Sequence, residues 1–213
     1  MCGRYASNRS AAALTAFFDA EDDTSDRLTP AEELRPTDPV PIVRPSGTAR
    51  ALSVARWGLL PPWRPDGGPV LFNARAETVA DKPAFRESFA RYRCLIPADG
   101  WYEWRRAPTL PKPQKCYLTG TGAGPLAFAG LYRPPFAGYP ASCTIVTTAA
   151  LGALTTVHDR MPLVLDADRW PGWLDCTAEP DPGLLSPPAA GTVAAVQVSP
   201  VDPAPRYVTP TLF

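Results

Sequence analysis

Proline sets the first limit on this chain. There are 28 in 213 residues, where average usage of about 5% gives about 11. Each proline removes a backbone donor and fixes φ, so long helices and central strands are disfavoured where prolines gather. They gather at 36–45, 61–69, 108–113, 134–140 and 180–188. The sequence therefore predicts a loop-rich fold of short elements, with those clusters as loops. The apolar fraction, 45%, excludes wholesale disorder. The length suits one domain over 1–213, with 199–213 as a proline-rich tail.

Short apolar, β-branched runs at 40–43, 51–57, 70–74, 93–97, 101–105, 115–119, 126–132, 142–148, 161–165 and 192–198 read as strands. Ser10 followed by Ala11–Phe18 reads as an N-capped helix with Leu14, Phe17 and Phe18 on one face. Asp81-Lys82-Pro83 reads as the start of a second helix, with Phe85, Phe89 and Tyr92 as its apolar stripe. Residues 20–39 read as acidic and turn-rich. A short helix near 166–175 places Trp170 and Trp173 in the core. Strand runs outnumber helices and lack regular helical crossovers. The expected class is α+β, a mainly antiparallel sheet with short flanking helices.

Net charge is zero overall, yet it is −4 over residues 1–39, +7 over 40–115 and −3 over 116–213. A basic middle segment suits an anion-binding face, or charges scattered over a solvated surface. Five cysteines without metal-ligand spacing read as free thiols. The single histidine, His158, excludes multi-histidine metal sites. No apolar run is long enough for a membrane helix, and Met1–Asn8 lacks the apolar core of a signal peptide. The expected location is cytoplasmic, nucleoid-associated if the source is bacterial.

Cys2 follows the first methionine. Removal of Met1 leaves an α-amine and a thiol on adjacent carbons, both partly nucleophilic near neutral pH. Such a 1,2-aminothiol condenses with an aldehyde to an imine and closes to a thiazolidine. It also serves N-terminal nucleophile hydrolases, with the amine as base. Three polar clusters interrupt the apolar runs: Asn73–Thr78, Asp99–Trp104 and His158–Pro162. Asn73 and Arg75 alternate, so a strand turns them the same way. Glu103 lies between two aromatics, a setting that raises a carboxyl pKa toward proton transfer. His158 titrates nearest neutrality. Each also fits a plainer role: Asn73 a turn residue, Glu103 a surface carboxylate, His158 a loop histidine.

Taken together the clusters resemble the SRAP family, the SOS response-associated peptidase or abasic-site processing proteins. The resemblance rests on Met1-Cys2-Gly3-Arg4-Tyr5, Trp57-Gly58-Leu59 with Pro62-Trp63, Asn73-Ala74-Arg75-Ala76-Glu77-Thr78, Ala98-Asp99-Gly100-Trp101-Tyr102-Glu103-Trp104, Thr147-Thr148-Ala149 and His158-Asp159-Arg160-Met161-Pro162. It implies a barrel-like twisted sheet and covalent capture of an abasic site in single-stranded DNA, or at a single-strand/double-strand junction. It implies Cys2 as nucleophile, Glu103 as proton carrier, His158 as assistant in sugar ring opening and reversal, and Asn73 as positioner of the N-terminus. It also implies DNA contacts by Arg4, Trp63, Arg75, Thr147 and Arg160. No cofactor or metal is implied, and a monomer is expected. Peptide hydrolysis by Cys2 and non-catalytic reading of modified bases are the alternatives. Two departures stand out: Glu32-Glu33-Leu34-Arg35-Pro36 occupies the place of the family's Tyr-Asn-x-x-Pro turn, and Val198–Pro203 that of its C-terminal Val-Asn element.

Overall fold

The computed structural model describes residues 2–63, 68–106, 111–120, 122, 124–178 and 180–187, together with the backbone of 196–200. In chain order the elements are β1 (Tyr5–Ser7), α1 (Ala11–Phe18), β2 (Glu21–Asp22), β3 (Ala31–Leu34), β4 (Pro39–Ser46), β5 (Ala49–Trp57) and β6 (Asn73–Arg75). They continue with α2 (Arg86–Arg91), β7 (Arg93–Ala98), β8 (Gly100–Arg105), β9 (Gln114–Gly120), β10 (Leu126–Arg133), β11 (Ser142–Ala149), β12 (Arg160–Pro162), α3 (Trp170–Leu174) and β13 (Val196–Pro200). The class is α+β, as expected.

Two sheets form. One runs β13-β9-β8-β1-β3; the other runs β12-β11-β10-β7-β4-β5-β2, with β6 beside β11. An extra parallel pairing, Ser142 with Arg56 and Cys143 with Trp57, joins β11 to β5. That pairing closes β11, β10, β7, β4 and β5 into a ring, which gives the barrel-like form. Most pairings are antiparallel; β11 with β5 and β6, and β2 with β5, are parallel.

Strands buried on both faces read as continuous apolar runs, and β7 is buried at all six positions. Alternation then splits the side chains between two cores. Tyr5, Trp101 and Leu118 of the smaller sheet meet Ile42, Trp57, Ile96, Phe128 and Ile145 of the larger one. The alternate residues Val43, Leu95 and Val146 pack with Leu14, Phe18, Phe89 and Trp173 from the helices. Cys2 belongs to the first core.

The proline cluster at 36–45 is not only loop. Strand β4 runs through Pro39, Pro41 and Pro45, paired with β5 along its whole length. Backbone N–H groups alternate sides along a strand. The three prolines share the parity of Val43, whose partner on β7 is Leu95. Their missing donors therefore face β7, and the β4–β7 ladder consists of that one pair, while the opposite parity keeps β5 bound.

Three further expectations are corrected. Residues 20–39 hold β2 and β3, because strand pairing overrides their acidic composition. The second helix begins at Arg86, after turns in which Phe85 N and Arg86 N both donate to Lys82 O at 2.9 Å. In α1, Ser10 caps as expected by accepting from Ala13 N. Leu14 and Phe18, one turn apart, are buried, but Phe17 is 43% exposed. Residues 201–213, most of the expected tail, lie outside the described residues. Among the described residues no helix is long and apolar enough to cross a membrane.

Candidate active site

Strand β1 carries Cys2 into the interior. It is held on both sides: Tyr5 pairs with Leu34 of β3 and with Trp101 of β8, and Tyr102 N donates to Arg4 O at 2.9 Å. The Tyr5 ring sits edge-on to Trp57 at 5.1 Å and to Phe128 at 6.1 Å. Cys2 is fully buried, and Asn73 Nδ2 donates to its carbonyl oxygen at 2.8 Å. Burial pushes the Cys2 thiol well above the usual thiol range, and the neighbouring Glu103 charge pushes it further.

Strand β8 supplies that carboxylate. Trp101 and Glu103 turn inward while Tyr102 and Trp104 turn outward. Glu103 is 3% exposed, so the surface-carboxylate reading is set aside. Burial raises its pKa, with the charge of His158 acting the other way. Gly100 lets β8 lie this close: an added Cβ would stand 2.5 Å from Leu118 O and from the Tyr117 ring.

His158 Nδ1 accepts from Arg160 N at 2.9 Å. In the neutral ring this leaves the proton on Nε2. The Asp159 carboxylate lies 2.8 Å from Nδ1.

Strands β6, β11 and β12 bring the remaining polar residues into one layer. Asn73 is level with Ile145, Arg75 with Thr147, and Arg160 with Ala149. Ala74 is buried between a half-buried Asn73 and an exposed Arg75, which is the expected alternation. Thr147 is fully buried; its hydroxyl donates to Ala74 O at 3.4 Å and accepts from Arg160 Nη2 at 3.2 Å. Arg160 also grips both oxygens of Glu77, at 2.7 and 3.0 Å, and holds the Glu77 carboxyl below its usual range.

Arg4 forms an ion pair with Glu33 and lies 5.3 Å from the centre of the Trp104 ring. Trp63 is 59% exposed and lines a cavity of about 240 Å³ with Arg56, Leu59, Val70 and Leu71. The structure thus gathers Cys2, Asn73, Glu103 and His158 electrostatically or by hydrogen bonds, and groups Arg75, Thr147 and Arg160 on adjacent strands. Among the described residues, Trp63 makes no hydrogen bond or ring contact with them. Three charged partners went unnoticed in the sequence: Glu33, Glu77 and Lys115. Arg35 apart, their partners lie 29 to 83 residues away, and only the acidic departure at Glu32-Glu33 gave a signal.

The chain matches the family model "SOS response associated peptidase (SRAP)" over residues 1–203. It is 36% identical to the abasic site processing protein YoaM of Bacillus subtilis, across 97% of this chain and 94% of that one. It is 32% identical to the abasic site processing protein YedK of Escherichia coli, across 82% and 79%. A crystal structure of a protein from Bacteroides thetaiotaomicron superposes with a TM-score of 0.81 at 21% identity, covering 94% of this chain and 92% of that one. A phage-related protein from Bordetella bronchiseptica gives a TM-score of 0.72 at 30% identity, covering 95% of each. On the family model and the breadth of these matches, the chain belongs to the SOS response associated peptidase family.

Proposed function

We propose that this protein processes abasic sites in DNA by covalent capture: Cys2, exposed as the first residue by loss of Met1, traps the ring-opened sugar aldehyde as a thiazolidine. Its similarity to abasic site processing proteins supports the abasic-site role. The observation that carries the covalent reading is the pairing of a buried thiol with a buried carboxylate. A thiol hydrolase needs its sulfur ionised at the outset, which a cationic neighbour provides. Here burial, the largest influence on the thiol, outweighs the favourable charge of the terminal amine, so peptide hydrolysis is disfavoured. Aldehyde capture starts from the amine and needs no thiolate.

The steps balance without a redox partner. The α-amine adds to the aldehyde carbon and forms a carbinolamine. Protonated Glu103 gives its proton to the departing hydroxyl, and water leaves an iminium carbon. The Cys2 sulfur bonds to that carbon and its proton returns to Glu103. Aldehyde and aminothiol become thiazolidine and water. Ring closure is intramolecular, so proximity favours it strongly. The Nε2–H of neutral His158 is a donor for opening the sugar ring. Asn73 holds the Cys2 carbonyl, which fixes the direction in which the amine points. Arg75, and Arg4 and Arg160 once DNA draws them from Glu33 and Glu77, supply positive charge for a single strand or a single-strand/double-strand junction, and Trp63 offers a stacking face. The protein acts as a monomeric domain over 1–213, and the reaction calls on no cofactor.

Intact mass spectrometry before and after mixing with abasic single-stranded DNA is the test. The expected result is a chain lacking Met1 that gains the oligonucleotide mass less one water. Retained Met1, or a mass unchanged after mixing, overturns the reading. Turnover of peptides without DNA would favour the hydrolase alternative.

A further inference from the structure

The outward face of β8 carries a second set of groups, across the strand from Glu103. The Glu33 carboxylate is clamped there by three cations. It accepts from Arg4 Nη1 and Lys115 Nζ, and from Arg35 Nη2 at 3.0 Å. Lys115 Nζ lies 4.2 Å from the centre of the Tyr102 ring. Arg4 lies over Trp104, which is 37% exposed. Tyr102 and Tyr117 pack at 4.9 Å, and the exposed Arg105 and Arg106 follow at the end of the strand. Strand register explains the gathering. Lys115 is level with Trp104, and β3 sets Leu34 against Tyr5, which turns Arg4, Glu33 and Arg35 to the same outward face.

This arrangement is an anion site with its anion built in. A guanidinium and an ammonium holding two oxygens of one carboxylate make the contacts that would hold two oxygens of a phosphate. Arg4, Arg35 and Lys115, with Arg105 and Arg106 at the strand end, outnumber the two carboxylates Glu33 and Glu32 beside Tyr102, so positive charge is left over. Cations interleaved with accessible aromatic rings are the chemistry of single-stranded nucleic acid, which needs charge for its backbone and flat faces for its bases. Folded stability alone would call for a neutral cluster, and it does not explain a half-exposed ring beside surplus charge.

We propose that Arg4, Lys115, Tyr102 and Trp104 form a single-stranded DNA track on the outer face of β8, and that Glu33 is an internal competitor which a backbone phosphate must displace. The inference rests on the abasic-site reading for the identity of the nucleic acid. It adds a residue that sets affinity: Glu33 weakens binding to undamaged strands, so long residence depends on the covalent step. Partial burial works to raise the Glu33 pKa, but hydrogen bonds from Lys115, Arg4 and Arg35 outweigh it and hold the value at about 2. The competitor therefore stays ionised throughout the physiological range.

The test is equilibrium binding of the full chain to fluorescent, undamaged oligothymidylate by anisotropy across a salt series. Glu33→Gln is expected to bind at least fivefold tighter at fixed salt. Its slope of log affinity against log salt should steepen by about 0.7 for each phosphate gained. Unchanged or weaker binding by a folded Glu33→Gln chain overturns the proposal. Should that variant fail to fold, Lys115→Gln and Trp104→Ala decide: at least threefold weaker binding by both supports the track, and unchanged binding overturns it. Adduct mass with abasic DNA is read in parallel. Tighter binding by Glu33→Gln with no adduct in any chain sinks covalent capture and leaves the track standing. A normal adduct with unchanged Glu33→Gln binding sinks the track alone.

Discussion

The side-chain amide of Asn73 donates to the carbonyl oxygen of Cys2 at 2.8 Å, tying strand β6 to the proposed nucleophile. The bond grips the carbonyl beside the amine proposed to attack and leaves that amine untouched, so on this reading it is a positioning contact. Losing a buried hydrogen bond costs about 1–3 kcal/mol. Asn73→Ala is expected to slow adduct formation with abasic DNA by roughly tenfold to a hundredfold while leaving the final yield intact. Asn73→Asp should be slower again, because its carboxylate cannot donate to the carbonyl. Time courses on denaturing gels check both.

Glu103→Gln should separate stability from chemistry. The folded-state pKa of Glu103 lies above its ordinary value of 4.5. Its contribution to stability is therefore complete below pH 4.5 and is lost as pH rises through the raised value. Glutamine removes that loss, so at neutral pH the variant should melt no lower than the parent. Adduct formation should fall by about 10²-fold or more, because the proposed proton carrier is gone. Glu33 has the opposite sign. Its pKa is lowered to about 2, so its contribution is present above pH 4.5 and is lost as pH falls toward 2. Melting curves from pH 2 to 9 for both glutamine variants distinguish the two groups.

What the sequence made legible follows from range. The β-branched stretch at 142–148 announces β11 because local pattern and burial agree. Ser10 announces α1 because a cap is a contact three residues long. Strand β3 was hidden: Ala31-Glu32-Glu33-Leu34 offers one buried side chain, Leu34, and its pairing with β1 supplies the rest. Cys2, Asn73, Glu103 and His158 were legible as chemistry, since each residue type is unusual in its local setting. Their electrostatic order was not, because the rise in Cys2 and Glu103 pKa comes from burial that only the packed sheets create. The partners of Arg4 and Arg160 were equally invisible, since an ion pair between residues far apart in sequence leaves no periodic trace.

Gly100 links packing to the placing of Glu103. Its place between Asp99 and Trp101 has no room for a methyl group against Leu118 O, which is backbone and cannot swing aside. Gly100→Ala should push β8 from β9, destabilise the fold by roughly 1–3 kcal/mol and displace Glu103. The melting temperature should drop by about 2–12 °C, at roughly 2–4 °C per kcal/mol in a chain of this size. Adduct formation should slow even at temperatures where the variant is fully folded by circular dichroism. A normal rate in the folded variant would show that Glu103 tolerates the shift.

Arg75 and Arg160 should differ although both lie in the same strand layer. Arg160 is committed within the protein, to Glu77 and to the carbonyl and hydroxyl of Thr147. Arg75 is exposed, so its charge is available to a phosphate. Arg75→Ala is therefore expected to weaken single-stranded DNA binding uniformly across sequences. It should reduce the magnitude of the salt slope by about 0.7, the share of one phosphate on a single strand, with little change in melting temperature. Arg160→Ala should instead lower the melting temperature, since it strips Thr147 and Glu77 of their partner and loosens β12 beside His158. It should slow adduct formation more than it weakens binding. Anisotropy over a salt series, paired with thermal melts, measures both. A larger salt-slope change for Arg160 than for Arg75 would mean that DNA pulls Arg160 away from Glu77.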